Sequence, residues 1–216
     1  VCCPVPGQVP LVILVTMSTA TQNPDDIKAE ITEAAQLRFR TYGYGKTTMA
    51  EIAADVNMSA ANLYRYFSNK QDIAAVCARQ CMDDLQEQLK SVLTVPDASA
   101  EQCLHQFVQT SLHYHYGLMH ESPRLNELVD TISQHHRELI YERNISMESV
   151  IAEILQRGVD AGDFAVDSIA GTSAAILKSI VLFTSPFFMH LYSLEEFEKM
   201  AIDVVTLIIN GLKKTN

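Results

Sequence analysis

Apolar residues in this chain return every third or fourth position almost throughout, and no Asn-Gly or Asp-Gly pair joins two alternating runs as a hairpin would. That period belongs to helices. The first is announced by Asn23 as N-cap, Pro24 at the first helical position and Asp25-Asp26 in the first turn, where the helix dipole favours negative charge. Its apolar face runs through Ile27, Ile31, Ala34 and Ala35 to a stop at Gly43-Tyr44-Gly45. Thr48-Met49-Ala50-Glu51 fits a capping box and opens a short second helix with Met49, Ile52 and Ala53 turned inward. Val56-Asn57-Met58 breaks it, Ser59 caps a third helix of about two turns over Ala60–Phe67, and Ser68-Asn69 precede a long fourth one beginning near Lys70.

Later segments repeat the pattern. A helix led by Ser99 is predicted over Ala98–His120, with Leu104, Phe107, Val108, Leu112, Leu118 and Met119 on its apolar side. A further segment opens at Ser122-Pro123 and ends at Gly158–Gly162. Another, with Asp167 as its cap, carries Ile169, Ser173, Ile176, Leu177, Ile180 and Val181 and stops before Pro186. The last starts at the capping box Ser193–Glu196, carries an apolar stripe from Phe197 to Leu212, and is ended by Gly211 and two lysines. The fold class is therefore all-α: an N-terminal three-helix unit over 23–72, then a larger helical unit over 73–216.

Composition narrows the function. With 216 residues, 48% of them hydrophobic, the chain can bury a sizeable core. Five cysteines without repeated spacing make no disulfide framework, which points to a reducing cytoplasm. The one continuous apolar run, Pro10–Val15, is far shorter than the roughly 20 residues a membrane helix needs. Residues 1–22 read as a disordered or upstream extension, with Met17 as the natural start. The net charge of −10 argues against wholesale, sequence-blind binding to nucleic acid, because phosphate neutralisation needs lysine and arginine. Residues 1–72 nevertheless hold six Lys/Arg against seven Asp/Glu, while 73–216 hold ten against nineteen. The balance leaves room for a small local basic surface.

Two short helices joined by a tight turn at Thr48–Phe67 make a helix-turn-helix, whose second helix enters the major groove of DNA. Ser59, Ala60 and Ala61 are small enough to let the backbone approach base edges, and Leu63 and Phe67 share the anchoring face. Asn62 and Arg65 have the chemistry to read base edges, and Tyr64 and Tyr66 offer hydroxyls to phosphate, beside Lys46 and Lys70.

The stretch ITEAAQLRFRTYGYGKTTMAEIAADVNMSAANLYRYFSNKQDI, Ile31 to Ile73, resembles the N-terminal domain of the TetR family of bacterial transcriptional regulators. The order Ile, Ala-Ala, Phe, Gly-Tyr, Thr-Thr, Ile-Ala, Ser, Leu-Tyr, Tyr-Phe, Lys is the same. The resemblance implies a homodimeric repressor that binds a palindromic double-stranded operator and is released by a small-molecule inducer. It implies DNA contacts from Thr47, Thr48, Ser59–Asn62, Tyr64 and Lys70. It also implies pairing of the last two long helices across a four-helix interface, through Ile176, Ile180, Phe197, Met200, Ala201, Val204, Val205 and Ile208. Arg38 departs from the family, which carries an apolar residue there; it is left to pack differently or to reach a phosphate.

The second unit has to be read on its own terms. His113 and His115 point about 200° apart on a helix and cannot share a metal, and His135-His136 diverge likewise. Cys77 and Cys81 stand at i and i+4 but lack a companion pair. No metal and no cofactor is expected. His115 falls in line with the apolar residues of its helix, so Phe107, Ser111, His115 and Met119 are the candidate inducer contacts. Two other classes compete. A helical metal-dependent enzyme lacks a Glu-x-x-His pair, a phosphate loop and a serine elbow. A ligand- or partner-binding protein that keeps the helix-turn-helix only as a scaffold would show no steep salt dependence on DNA.

Overall fold

The computed structural model describes residues 23–213, so the expected extension at 1–22 lies outside the described residues. Ten α-helices follow in order: α1 (Pro24–Tyr42), α2 (Met49–Asp55), α3 (Ala60–Leu63), α4 (Lys70–Ser91), α5 (Ala100–Glu121), α6 (Asn126–His135), α7 (Arg137–Asp160), α8 (Ile169–Ser179), α9 (Val181–Thr184) and α10 (Leu194–Leu212). Among the described residues there is no strand, only an isolated bridge between Phe164 and Lys213.

The caps explain the boundaries. Asn23 accepts from the Asp25 amide, and the Thr48/Glu51 and Ser193/Glu196 boxes are closed in both directions. Gly43, at φ +91°, ends α1 in a backbone conformation that side chains rarely allow. Four boundaries differ from the sequence expectation. Ser168, rather than Asp167, caps α8, because its hydroxyl accepts from the Gly171 amide. Gly211 does not stop α10, which runs to Leu212. The segment after Ser122 is two helices, broken at His136 where the backbone leaves the helical region. And α3 is regular only to Leu63; Arg65 and Tyr66 donate to the carbonyls three residues back, so the last turn tightens into 3-10 geometry.

One hydrophobic core runs through the molecule. In the N-terminal unit Ile31, Ala35 and Phe39 of α1 meet Ile52 and Ala53 of α2, Leu63 of α3 and Ile73 of α4. Each large side chain so buried contributes about 1.5–3 kcal/mol. The α4 helix continues without interruption through residues 72–73 and packs on α1, α5 and α7, so one rod belongs to both units. Behind it α8 lies along α7 and α10 along α5. Gly158 permits the closest approach: a Cβ there would fall 2.1 Å from the Phe164 ring.

Candidate nucleic-acid interface and ligand cavity

The helix-turn-helix is held rigid by polar struts, and several residues expected on DNA turn out to be those struts. Lys70 donates its ammonium to the carbonyls of Tyr44 (2.6 Å) and Thr47 (2.8 Å) and sits 4.2 Å above the Tyr44 ring. Burial holds its pKa below the ordinary lysine value. With its donors turned onto the loop before α2, it is not a free phosphate contact. The Thr47 hydroxyl is likewise engaged internally: the residue is only 1% exposed and donates to the Gly43 carbonyl. Arg38 does not reach outward to a phosphate either. It forms a two-pronged ion pair with Asp55, with Glu51 at 3.7 Å, and so pins α1 to α2. The Arg38 bond holds Asp55 below the usual carboxylate range.

The remaining candidates share one outer surface. Lys46, Thr48, Ser59 and Ala61 are exposed, whereas Ala60, Asn62 and Tyr66 are half-buried. Tyr64 is 53% exposed, and Arg65 is exposed with no ion pair among the described residues. The hydroxyls of Thr48 and Ser59 accept from Glu51 and Asn62 amides, which anchors both helix starts. What faces outward is therefore a short helix start of small residues flanked by Asn62, Tyr64 and Arg65 on a frame whose own polar groups are satisfied. That is the arrangement by which a helix presents donors to base edges and hydroxyls to phosphate.

A cavity of about 480 Å³ lies deeper, walled by α1, α4, α5, α6, α7 and the turn after α9. Of the four candidate ligand contacts only His115 lines it. Phe107, Ser111 and Met119 are buried elsewhere in the core, and the α5 residues that face the cavity beside His115 are Tyr114 and Leu118. The apolar stripe of α5 is wide enough to serve two neighbours, and the period alone does not say which part meets the hollow. His115 Nδ1 lies 2.7 Å from the Ser111 carbonyl, which can only accept, so Nδ1 carries the proton and Nε2 the lone pair. Burial, then the Arg143 charge, pushes its pKa down to about 3, and the ring is neutral.

Arg143 was missed by the pattern reading. It stands three residues after Ile140 and four before Met147, a charge in the register of an apolar stripe, and that position was the available signal. Cys77 and Cys81 both face the cavity, with thiols pushed up by burial, Cys77 to about 12. Both stay protonated near neutral pH. No group of three His, Cys, Asp or Glu side chains that could hold an ion occurs among the described residues.

The cavity wall and the DNA-facing unit are joined directly. Glu127, in the first turn of α6, accepts from the Gly45 amide at 2.7 Å, and Arg124 just before α6 donates to the Thr41 carbonyl. Leu128, Val129 and Ile132 of the same α6 line the cavity.

The helices expected to pair between subunits divide differently from the prediction. Ile176, Ile180, Phe197, Ala201 and Val205 are buried within the protomer and cannot present an outer surface. Met200, Val204 and Ile208 are half-buried on an adjoining stripe of α10, where Leu207, not anticipated, is 73% exposed.

Comparison with known proteins agrees with this architecture. The profile of bacterial regulatory proteins of the tetR family matches residues 31–77, and that of the tetracyclin repressor-like C-terminal domain matches residues 100–205. YfiR of Bacillus subtilis, an uncharacterised HTH-type transcriptional regulator, is 26% identical over 156 residues, 66% of this chain and 70% of its own length. A transcriptional regulator from Cytophaga hutchinsonii superposes with a TM-score of 0.68 at 21% identity, over 85% of this chain and 97% of that one. A protein from Mesorhizobium loti assigned to the tetR family does so with a TM-score of 0.71 at 19% identity, over 89% and 100%. At these identities the structural likeness bears on the fold.

Proposed function

This chain belongs to the tetR family of bacterial regulatory proteins, a DNA-binding, helix-turn-helix family of transcriptional regulators, and on that premise we propose that it is a ligand-responsive repressor. Residues 23–72 read a palindromic operator, and 73–216 bind an inducer and hold two copies together in the cytoplasm. The observation that carries the reading is the outer surface of Asn62, Tyr64 and Arg65, left free while the neighbouring cations Arg38 and Lys70 are consumed in internal bonds. Two copies of α3, about 34 Å apart in a symmetric dimer, would enter successive major grooves.

Release follows from the joint between α6 and the loop before α2. A ligand that fits the cavity better when α6 is displaced would pull on Gly45 through Glu127, and the spacing of the two α3 helices would change. Only that difference in affinity between the two forms can shift the equilibrium. The acidic body disfavours DNA elsewhere on the surface.

The test is selection of bound sequences from a randomised duplex pool by the full chain. A palindromic site should emerge, its binding should fall steeply with salt, and Arg65→Ala should weaken it by about 1–3 kcal/mol while relaxing one base position. No enrichment at moderate salt would reduce the helix-turn-helix to a scaffold.

A further inference from the structure

In a chain with 26 acidic residues against 16 basic ones, the cavity has no aspartate or glutamate in its wall and has three arginines, Arg40, Arg137 and Arg143. Arg40 and Arg137 are exposed, Arg40 with its guanidinium beside the Cys81 thiol. Arg143 is the inner one. Its guanidinium donates to the Thr184 carbonyl and, at 3.4 Å, to Asn144 Oδ1, and no carboxylate pairs with it among the described residues.

Arg143 is half-buried, and a charge largely withdrawn from water without a counter-charge is costly, so an arginine in this position favours an anion. Asp83 and Glu142 line a second hollow on its other side without forming an ion pair with it, and the cavity side carries no carboxylate. His115, which lines the cavity near Arg143, is neutral and cannot serve as counter-charge. Most of the remaining wall is hydrocarbon and aromatic, including Phe39, Leu85, Leu128, Ile132, Ile140 and Phe187. One unpaired planar cation beside an apolar hollow of about 480 Å³ fits a molecule with a single flat anionic head and an oily body.

Resting on the reading of this cavity as the inducer site, we propose that the inducer is an amphipathic monocarboxylate whose carboxylate pairs with Arg143 while its apolar body fills the space between α4, α6 and α7. A carboxylate matches the guanidinium fork with two parallel hydrogen bonds and cancels one charge; a phosphate monoester, carrying about −1.5 to −2, would leave charge over in a site with one inner cation. The pairing also places the ligand against α6, the helix that Glu127 ties to the DNA-facing unit.

Calorimetric titration of the full chain with decanoate, decanol and decylammonium, each below its micellar concentration, tests this. Decanoate should bind at least tenfold more tightly than decanol, and decylammonium more weakly than either. Arg143→Gln should abolish the preference for the carboxylate without abolishing decanol binding, Arg143→Lys should keep most of it, and the pair Arg40→Gln with Arg137→Gln should leave it intact. Circular dichroism on each variant checks the fold, and Arg143→Lys, which retains the charge, carries the comparison if the glutamine variant unfolds. Equal binding of decanoate and decanol, a preference that follows Arg40 and Arg137 instead, or no binding of any carboxylate from octanoate to myristate overturns the proposal. Operator binding measured on the same samples separates the two readings: an enriched operator with no carboxylate preference sinks the inducer class alone, and the reverse sinks the DNA reading alone.

Discussion

His115 shows how one side chain can tie stability to pH. Folded, its pKa is held down to about 3 by burial and by the Arg143 charge; unfolded, it returns to about 6.5. Between those values the unfolded chain binds a proton that the folded one refuses. Stability present above about pH 6.5 is therefore lost as pH falls toward 3, with a slope approaching ~1.4 kcal/mol per pH unit from this residue. Urea unfolding at about pH 7, 6 and 5 should show it, above the range in which the depressed carboxyls Asp55 and Glu138 titrate. His115→Gln should flatten that part of the profile. A variant with the wild-type slope would mean that the proton is taken up elsewhere.

Among the elements, α6 matters most because it is short, walls the cavity and grips the loop before α2. The bond from the Gly45 amide to Glu127 is charge-assisted and spans 82 residues of sequence, so local folding of neither part maintains it. Glu127→Ala should raise the hydrogen-exchange rate of the Gly45 amide by roughly tenfold, the equivalent of about 1.4 kcal/mol, with α2 itself still protected by its capping box. Operator affinity should fall with it. Unchanged exchange at Gly45 would show that the loop is held by Lys70 and the Thr47 hydroxyl alone, and α6 would lose its place as the coupling element.

For the whole molecule the question is what covers the outer stripe of α10. Buried positions Phe197, Ala201, Val205 and Ile209 recur every four residues and face α5, whereas Met200, Val204 and Leu207 lie on the neighbouring face. An exposed leucine among half-buried apolar neighbours fits a self-complementary contact with the same helix of a second copy. Leu207→Glu should convert the dimer to monomer in sedimentation at micromolar concentration, and should cost operator affinity because one half-site is then read alone. A chain that is monomeric without the substitution would overturn the dimer itself, and one that is dimeric with it would move the interface elsewhere.

Much of this was legible from residue order. The 3.6-residue period dictated an all-helical chain, and Asn23, Thr48, Ser59, Asn69, Ser99 and Ser193 marked helix starts because a side-chain oxygen must satisfy amides that the helix leaves unpaired. What tertiary structure decided was the partner of each polar group. Lys70 looked like a DNA contact, and Arg38 was left between packing and a phosphate, until the loop carbonyls and Asp55 arrived from other elements to take their donors. Arg143 was passed over in the sequence, and only the fold shows α7 turning it toward a cavity whose walls come from helices far apart in sequence. Periodicity is local and survives in the sequence; hydrogen-bond partners, burial and cavities are set by packing between distant segments, and only the folded chain contains them.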